Sequence, residues 1–178
     1  MPTALISELE AIAFHETFCK GQMFLRAGEV PELLGFNLNG IFRLFYVDQE
    51  GNDFTKGFSQ PGNLVISYSA LAQNRESYFN IEAIADSEVM LVNYQSWMRI
   101  VQENIEWYPF LYRMLQTVYI AKEMREKAFL LDDARTRYLE FRKQFHGLEG
   151  KLKQYHVASY LGIASETLSR IRRELKIT

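Results

Sequence analysis

The sequence of 178 residues holds one cysteine, Cys19, and only four prolines. A single thiol permits no intramolecular disulfide and cannot by itself hold a zinc ion or an iron–sulfur cluster, so a reducing compartment is the expected setting. With few prolines and 48% hydrophobic residues the chain has no low-complexity or disordered tract. No stretch approaches the roughly 20 apolar residues of a membrane span. The opening MPTALISELEAIAF lacks a basic region before an apolar run. The expectation is a cytoplasmic protein with no membrane partner. Also missing are a His-x-His pair, a glycine-rich phosphate loop and any Ser/His/Asp arrangement suggesting a nucleophile, which argues against an enzyme and against a bound cofactor. His15, His146 and His156 are scattered along the chain.

What is present is uneven in charge. Residues 1–131 carry 10 Lys and Arg against 16 Asp and Glu, whereas residues 132–178 carry 10 against 6. A small basic module joined to an acidic one suits a polyanionic partner, although a solvated basic face accounts for the charge equally well. Two domains are expected, 1–131 and 132–178.

The pattern of apolar residues changes along the chain as well. From Lys20 to about Asn93, the runs GIFRLFYV, FTKGFS, NLVISY, YFNIEAIA and EVMLVN alternate with Gly and Asp/Asn, as strands do. Gly28, Gly40, Gly51 and Gly62 stand where turns of a barrel or jelly roll need positive φ, and Gln49–Asn52 is the clearest hairpin turn. The earlier SELEAIAF reads as a short helix closing the roll. From about Trp107 the apolar period becomes helical through Leu111, Met114, Leu115, Val118, Ala121, Met124, Ala128 and Phe129. A stripe of that length favours a partner helix from a second copy over packing within one subunit. Asp132 and Asp133 are placed to cap a further helix, ARTRYLEFRKQF, ending at Gly147.

The segment Gln154–Leu175 carries the functional signal. Val157, Leu161, Ile163, Leu168 and Ile171 are apolar where two crossing helices face a common core, and Ala158 permits close approach. Gly162 falls at the turn, where the left-handed conformation re-aims the chain. The second helix then directs Glu166, Ser169, Arg170 and Arg173 outward, where a major groove would lie. Arginine pairs with guanine and glutamate accepts from cytosine, although Glu166 and Arg170 also have the spacing of an ordinary helical ion pair.

Tyr160-Leu-Gly-Ile163 followed by Glu166-Thr-Leu-Ser-Arg170 resembles the most specific motif of the Crp/Fnr superfamily of bacterial transcription regulators, and the resemblance covers nearly the whole chain. Lys20-Gly21, Ala27-Gly28-Glu29, Asn39-Gly40 and Pro61-Gly62 resemble the turns of that family's cyclic-nucleotide-binding-type roll. The resemblance implies an α+β chain with three parts: an N-terminal β-roll built as a jelly-roll-like barrel, a dimerisation helix over about 107–131, and a C-terminal all-α, winged-helix-like helix-turn-helix domain. It implies a homodimer on a near-palindromic double-stranded DNA operator with TGA-type half-sites. Gln154, Ser165, Glu166, Thr167, Ser169, Arg170 and Arg173 would meet the DNA, and Leu111, Leu115, Val118 and Ala121 would line the dimer helix. An activator would also need a surface for RNA polymerase, for which no residues stand out.

The departures from the family concern the effector. Members that bind cyclic AMP carry a Gly-Glu and, downstream, an Arg followed by Ser or Thr. Here Gly62 is followed by Asn63, and Ser77 and Tyr78 stand where the phosphate-binding arginine and its neighbour would be, with Arg75 two residues away. A buried phosphate needs a positioned, charge-assisted donor, so a response to cyclic AMP is not expected. The candidate effector pocket comprises Asn63, Leu64, Tyr68, Arg75, Ser77, Tyr78 and Phe79. Filling of that pocket by Phe58, Tyr68, Tyr78 and Phe79 is the simpler expectation, and a less charged small-molecule effector is the alternative. The cysteine cluster of an oxygen sensor is excluded, and the scattered histidines argue against haem, with His156 expected at the surface or as a cap. Cys19 is expected to be a small buried apolar residue. In the DNA-binding segment, Ala164 replaces the usual capping Ser or Thr, so Ser165 is expected to cap instead. The chain stops three residues after Leu175, leaving little room for further C-terminal elements. That shortening keeps open a sensor protein whose DNA binding is weak or lost.

Overall fold

The computed structural model describes residues 3–177, arranged as two compact units. One comprises Met1–Asn52 and Lys56–Arg113, the other Asp53–Thr55 and Met114–Thr178.

The first unit is a roll of two antiparallel sheets with helices on one side. Its elements run α1 (Thr3–Glu10), β1 (Ala13–Phe18), β2 (Met23–Leu25), β3 (Leu33–Asn39), β4 (Phe42–Val47), β5 (Asp53–Ser59), β6 (Leu64–Val65), α2 (Tyr68–Gln73), β7 (Asn80–Ala83), β8 (Ser87–Asn93) and α3 (Tyr94–Glu103). One sheet has the order β1-β8-β3-β6 and the other β2-β7-β4-β5. Period-2 alternation along β8 feeds two cores. Val89 and Leu91 join Phe18, Leu25, Phe42, Phe79 and Ile81 in one, while Val92 packs with Leu5, Leu9, Trp97, Val101 and Trp107 in the other. In the second core Phe36 stacks on Trp97 at 5.1 Å. The Glu8 carboxylate accepts from Trp107 Nε1 and Asn104 Nδ2, each at 2.9 Å, which satisfies the buried indole N–H.

The turn glycines behave as their spacing predicts: Gly28, Gly40, Gly51 and Gly62 all have φ between 86° and 89°. At Gly40 the constraint is double, because an added Cβ would stand 2.6 Å from the Cα of Ser87. Three segments depart from the sequence reading. SELEAIAF divides, its first residues ending α1 and its last two starting β1. NLVISY supplies only a two-residue strand before α2, and α3 lies in a stretch assigned to no element. In α2 short length hides the 3.6-residue period, whereas α3 follows β8 directly with no glycine or proline between them; burial of Leu71 in the one and of Trp97 and Val101 in the other anchors both helices.

Apart from Asp53–Thr55, which begin β5, the second unit is helical. It contains the later part of α4 (Trp107–Leu131), α5 (Ala134–Gln144), a 3-10 turn (Glu149–Lys151), α6 (Gln154–Leu161) and α7 (Ser165–Glu174), and no strand occurs among the described residues after Asn93. Asp133 caps α5 by accepting from Thr136 N at 2.7 Å, as the sequence suggests. Phe141, Phe145 and Tyr160 form a ring cluster with centroids 5.0–5.4 Å apart. α4 buries only Trp107 completely; Leu111 and Met114 are half-buried, and Leu115, Val118, Tyr119, Ile120 and Met124 are exposed.

Candidate functional site

The α6–α7 pair is built around the turn at Gly162. Its φ of 66° and ψ of 39° end α6 in the left-handed conformation, and Ile163 N donates back to Ala158 O at 3.1 Å. Two arginines complete the turn: Arg125 Nη2 donates to Tyr160 O and Arg137 Nε to Leu161 O, both at 3.2 Å. They satisfy carbonyls at a helix C-terminus, where a cation also meets the negative end of the dipole. Sequence reading misses both, because α4 and α5 meet α6 only through tertiary contact.

α7 is strongly amphipathic. Leu168 and Ile171 are buried, while Glu166, Arg170 and Arg173 are exposed and Ser165, Thr167 and Ser169 are half-buried. Gln154, Ser165, Glu166, Ser169, Arg170 and Arg173 line one shallow concavity. The predicted set thus comes together apart from Thr167. Gln154 Nε2 donates to Ser165 O at 3.3 Å, tying the starts of the two helices. No ion pair joins Glu166 to Arg170 among the described residues. Ser165 does not cap: Ala164 occupies the N-cap position without a side-chain bond, and Ser165 is the first helical residue. The first N–H groups of α7 therefore keep no side-chain acceptor and form a positive helix end beside two arginines, a surface suited to phosphate.

The seven candidate effector residues are divided between the interior and the surface. Ser77 and Phe79 are buried and Leu64 is half-buried, whereas Asn63, Tyr68, Arg75 and Tyr78 are exposed. Alternation into β7 separates Ser77 and Phe79 from Tyr78. Asn74, with φ of 48°, ends α2 and turns the chain before Arg75, whose guanidinium lies 4.8 Å over the Tyr78 ring. Inside, the Ser77 and Ser67 hydroxyls are hydrogen bonded at 3.0 Å, and Ser77 Oγ donates to Phe79 O at 2.8 Å. Phe58 and Phe79 fill interior space as expected; Tyr68 and Tyr78 do not. A different cleft has Phe18, Leu25, Leu33, Glu16, Glu29 and Glu32 among its lining.

Two further expectations fail. Cys19 is exposed, because it lies in the turn after β1 and not on a strand face. His156 is buried at 3% exposure, since its place on α6 faces the helical core and not solvent.

The cyclic nucleotide-binding domain model matches residues 15–104. No curated protein sequence matches the chain. Among solved structures, FixK2 from Bradyrhizobium japonicum is 20% identical with a TM-score of 0.79, over 93% of this chain and 85% of that one. A CooA mutant from Carboxydothermus hydrogenoformans is 17% identical with a TM-score of 0.74, over 98% and 79%. The Catabolite Activator Protein of Thermus thermophilus is 21% identical with a TM-score of 0.59, over 99% and 84%. These likenesses give the chain the fold of Crp/Fnr regulators. The match over half the sequence adds the family: this chain belongs to the cyclic nucleotide-binding domain family.

Proposed function

We propose that the protein is a dimeric, sequence-specific DNA-binding transcriptional regulator of the Crp/Fnr type that does not respond to cyclic AMP. Residues 1–131 would form the sensor roll and dimerisation helix, and 132–178 the helix-turn-helix domain, working in the cytoplasm without catalysis. The observation that carries the reading is the outward side of α7, where Glu166, Ser169, Arg170 and Arg173 share one surface with the free helix end. Such a helix reads base edges with its N-terminal side chains while its amides and flanking cations hold phosphates. Dimerisation is supported by the exposed Leu115, Val118 and Tyr119 on α4. Independence from cyclic AMP is supported by the Ser67–Ser77 pair: two neutral hydroxyls satisfy each other in the roll and supply no charge-assisted donor for a buried phosphate.

The test is selection from a random-sequence duplex library by purified protein without effector. Wild type is expected to enrich a two-fold-related site, and Arg170→Ala to lose about 1–3 kcal/mol on it with relaxed preference at one base pair. Glu166→Ala should relax a neighbouring position. Failure to enrich any site, with and without cyclic AMP, would overturn the reading and favour a sensor that has given up DNA.

A further inference from the structure

One carboxylate joins three elements behind the outward face of α7. Tyr138 and Arg142 stand four apart on α5 and so share a helix face. Glu149 comes from the 3-10 turn and Arg172 from α7. The Tyr138 hydroxyl, on a side chain with no exposed surface, donates to Glu149 Oε1. Arg142 Nε donates to Glu149 Oε2 at 3.0 Å, and Arg172 Nε lies 3.8 Å from Oε1. The Glu149 side chain is only 18% exposed. Burial first, then the bond and charge of Glu149, raise the Tyr138 hydroxyl above its ordinary pKa of 10.0, so it remains a donor at any physiological pH.

We infer that Glu149 is a positioning residue for α7, and that it sets which side of that helix faces a nucleic-acid partner. The inference rests on the DNA-binding reading of that face. α7 is ten residues long, with Leu168 and Ile171 as its buried anchors. Each residue advances about 100° around a helix, so a small rotation moves Arg170 and Arg173 off their targets together. The Arg172–Glu149 ion pair, at 3.8 Å, adds an electrostatic attachment in the C-terminal half of α7, roughly opposite Arg170, and restrains that rotation. Glu149 also offsets one unit of the positive charge of Arg142 and Arg172, which would otherwise attract phosphate without regard to sequence. Its removal therefore acts twice against discrimination: the reading face loosens and nonspecific charge is released.

Glu149→Gln keeps the size and an acceptor for Tyr138 but removes the charge. Binding is measured to the enriched duplex and to a scrambled duplex over a range of salt, alongside wild type, Arg170→Ala and Tyr138→Phe. For Glu149→Gln the preference for the enriched duplex should fall about threefold to fivefold, as expected for loss of one partly exposed ion pair. Affinity for the scrambled duplex should hold or rise, with a steeper salt dependence. Tyr138→Phe retains the carboxylate and should keep most of the preference. A merely structural role for Glu149 lowers both affinities together, and that result, or an unchanged preference, overturns the inference. Amide exchange in the free protein tests the same residue without DNA, because Glu149→Gln should speed exchange across α7 more than across α6. If wild type enriches no duplex while α7 loosens selectively, the DNA reading fails and the positioning role stands. If wild type discriminates and Glu149→Gln changes neither exchange nor preference, the positioning role fails alone.

Discussion

At the scale of single residues, backbone geometry is the most exacting constraint in the second unit. Gly162 combines a φ of 66° with a close neighbour: an added Cβ would lie 2.8 Å from Cε1 of Phe129. Gly162→Ala should therefore destabilise by about 2 kcal/mol, from left-handed strain plus displacement of a ring, read as a lower denaturant midpoint at unchanged slope. Asp133 offers a pH test. Its bonds from Thr136 hold its carboxyl below the ordinary value of 3.8. A depressed folded value means that the stabilisation is fully present above the unfolded pKa and is lost as pH falls through the folded one. Asp133→Ala should thus lower the thermal midpoint at pH 6, and the gap from wild type should close as pH drops below about 3.8. Both residues are legible in sequence, since a glycine between two helical patterns and an aspartate before a third are local signals. The exposure of Cys19 and burial of His156 are not, because each depends on which face the completed fold turns inward.

At the scale of elements, strong periodicity or punctuation makes α4, β4, β5, β8, α6 and α7 readable. α2 is missed because six residues show too little period to distinguish helix from strand, and α3 because no glycine or proline separates it from β8. The same limit hides how α6 is held. Arg137 donates through Nε to Leu161 O and through Nη1 to Asp132 O at 2.7 Å, and its guanidinium lies 5.4 Å from the Phe129 ring, with that of Arg125 at 5.2 Å. Two cations and one ring thereby bind the C-terminal end of α4 to the C-terminus of α6. Removing Arg137 leaves two carbonyls short of a donor, at a cost of about 1–3 kcal/mol. Arg137→Ala should lower the unfolding midpoint and raise amide exchange through α6. Arg137→Lys should recover little, because one ammonium cannot reproduce the fork. An unchanged midpoint in Arg137→Ala would mean that water replaces the guanidinium without loss.

At the scale of the whole molecule, the change of period in the sequence anticipates strands followed by helices, the order in which the elements run. The interior of the roll is different: its Ser67–Ser77 bond joins two positions ten residues apart, one on each side of α2, which no local pattern announces. The surface of α4 makes the clearest whole-molecule prediction. Leu115 and Val118 are 45% and 60% exposed, so glutamates there should leave the fold of one chain intact by circular dichroism. Placed in an apolar seam between two copies, the same charges would be desolvated without partners, which a dimer does not tolerate. Leu115→Glu/Val118→Glu should therefore sediment as a monomer at concentrations where wild type is a dimer, and should lose the two-fold-related site while keeping weak, salt-sensitive attachment to DNA. A variant that still sediments as a dimer would move the interface to another side of α4, where Tyr112, Ile120 and Met124 are also exposed. A wild type that is monomeric throughout would leave single half-sites as the only DNA this fold could read.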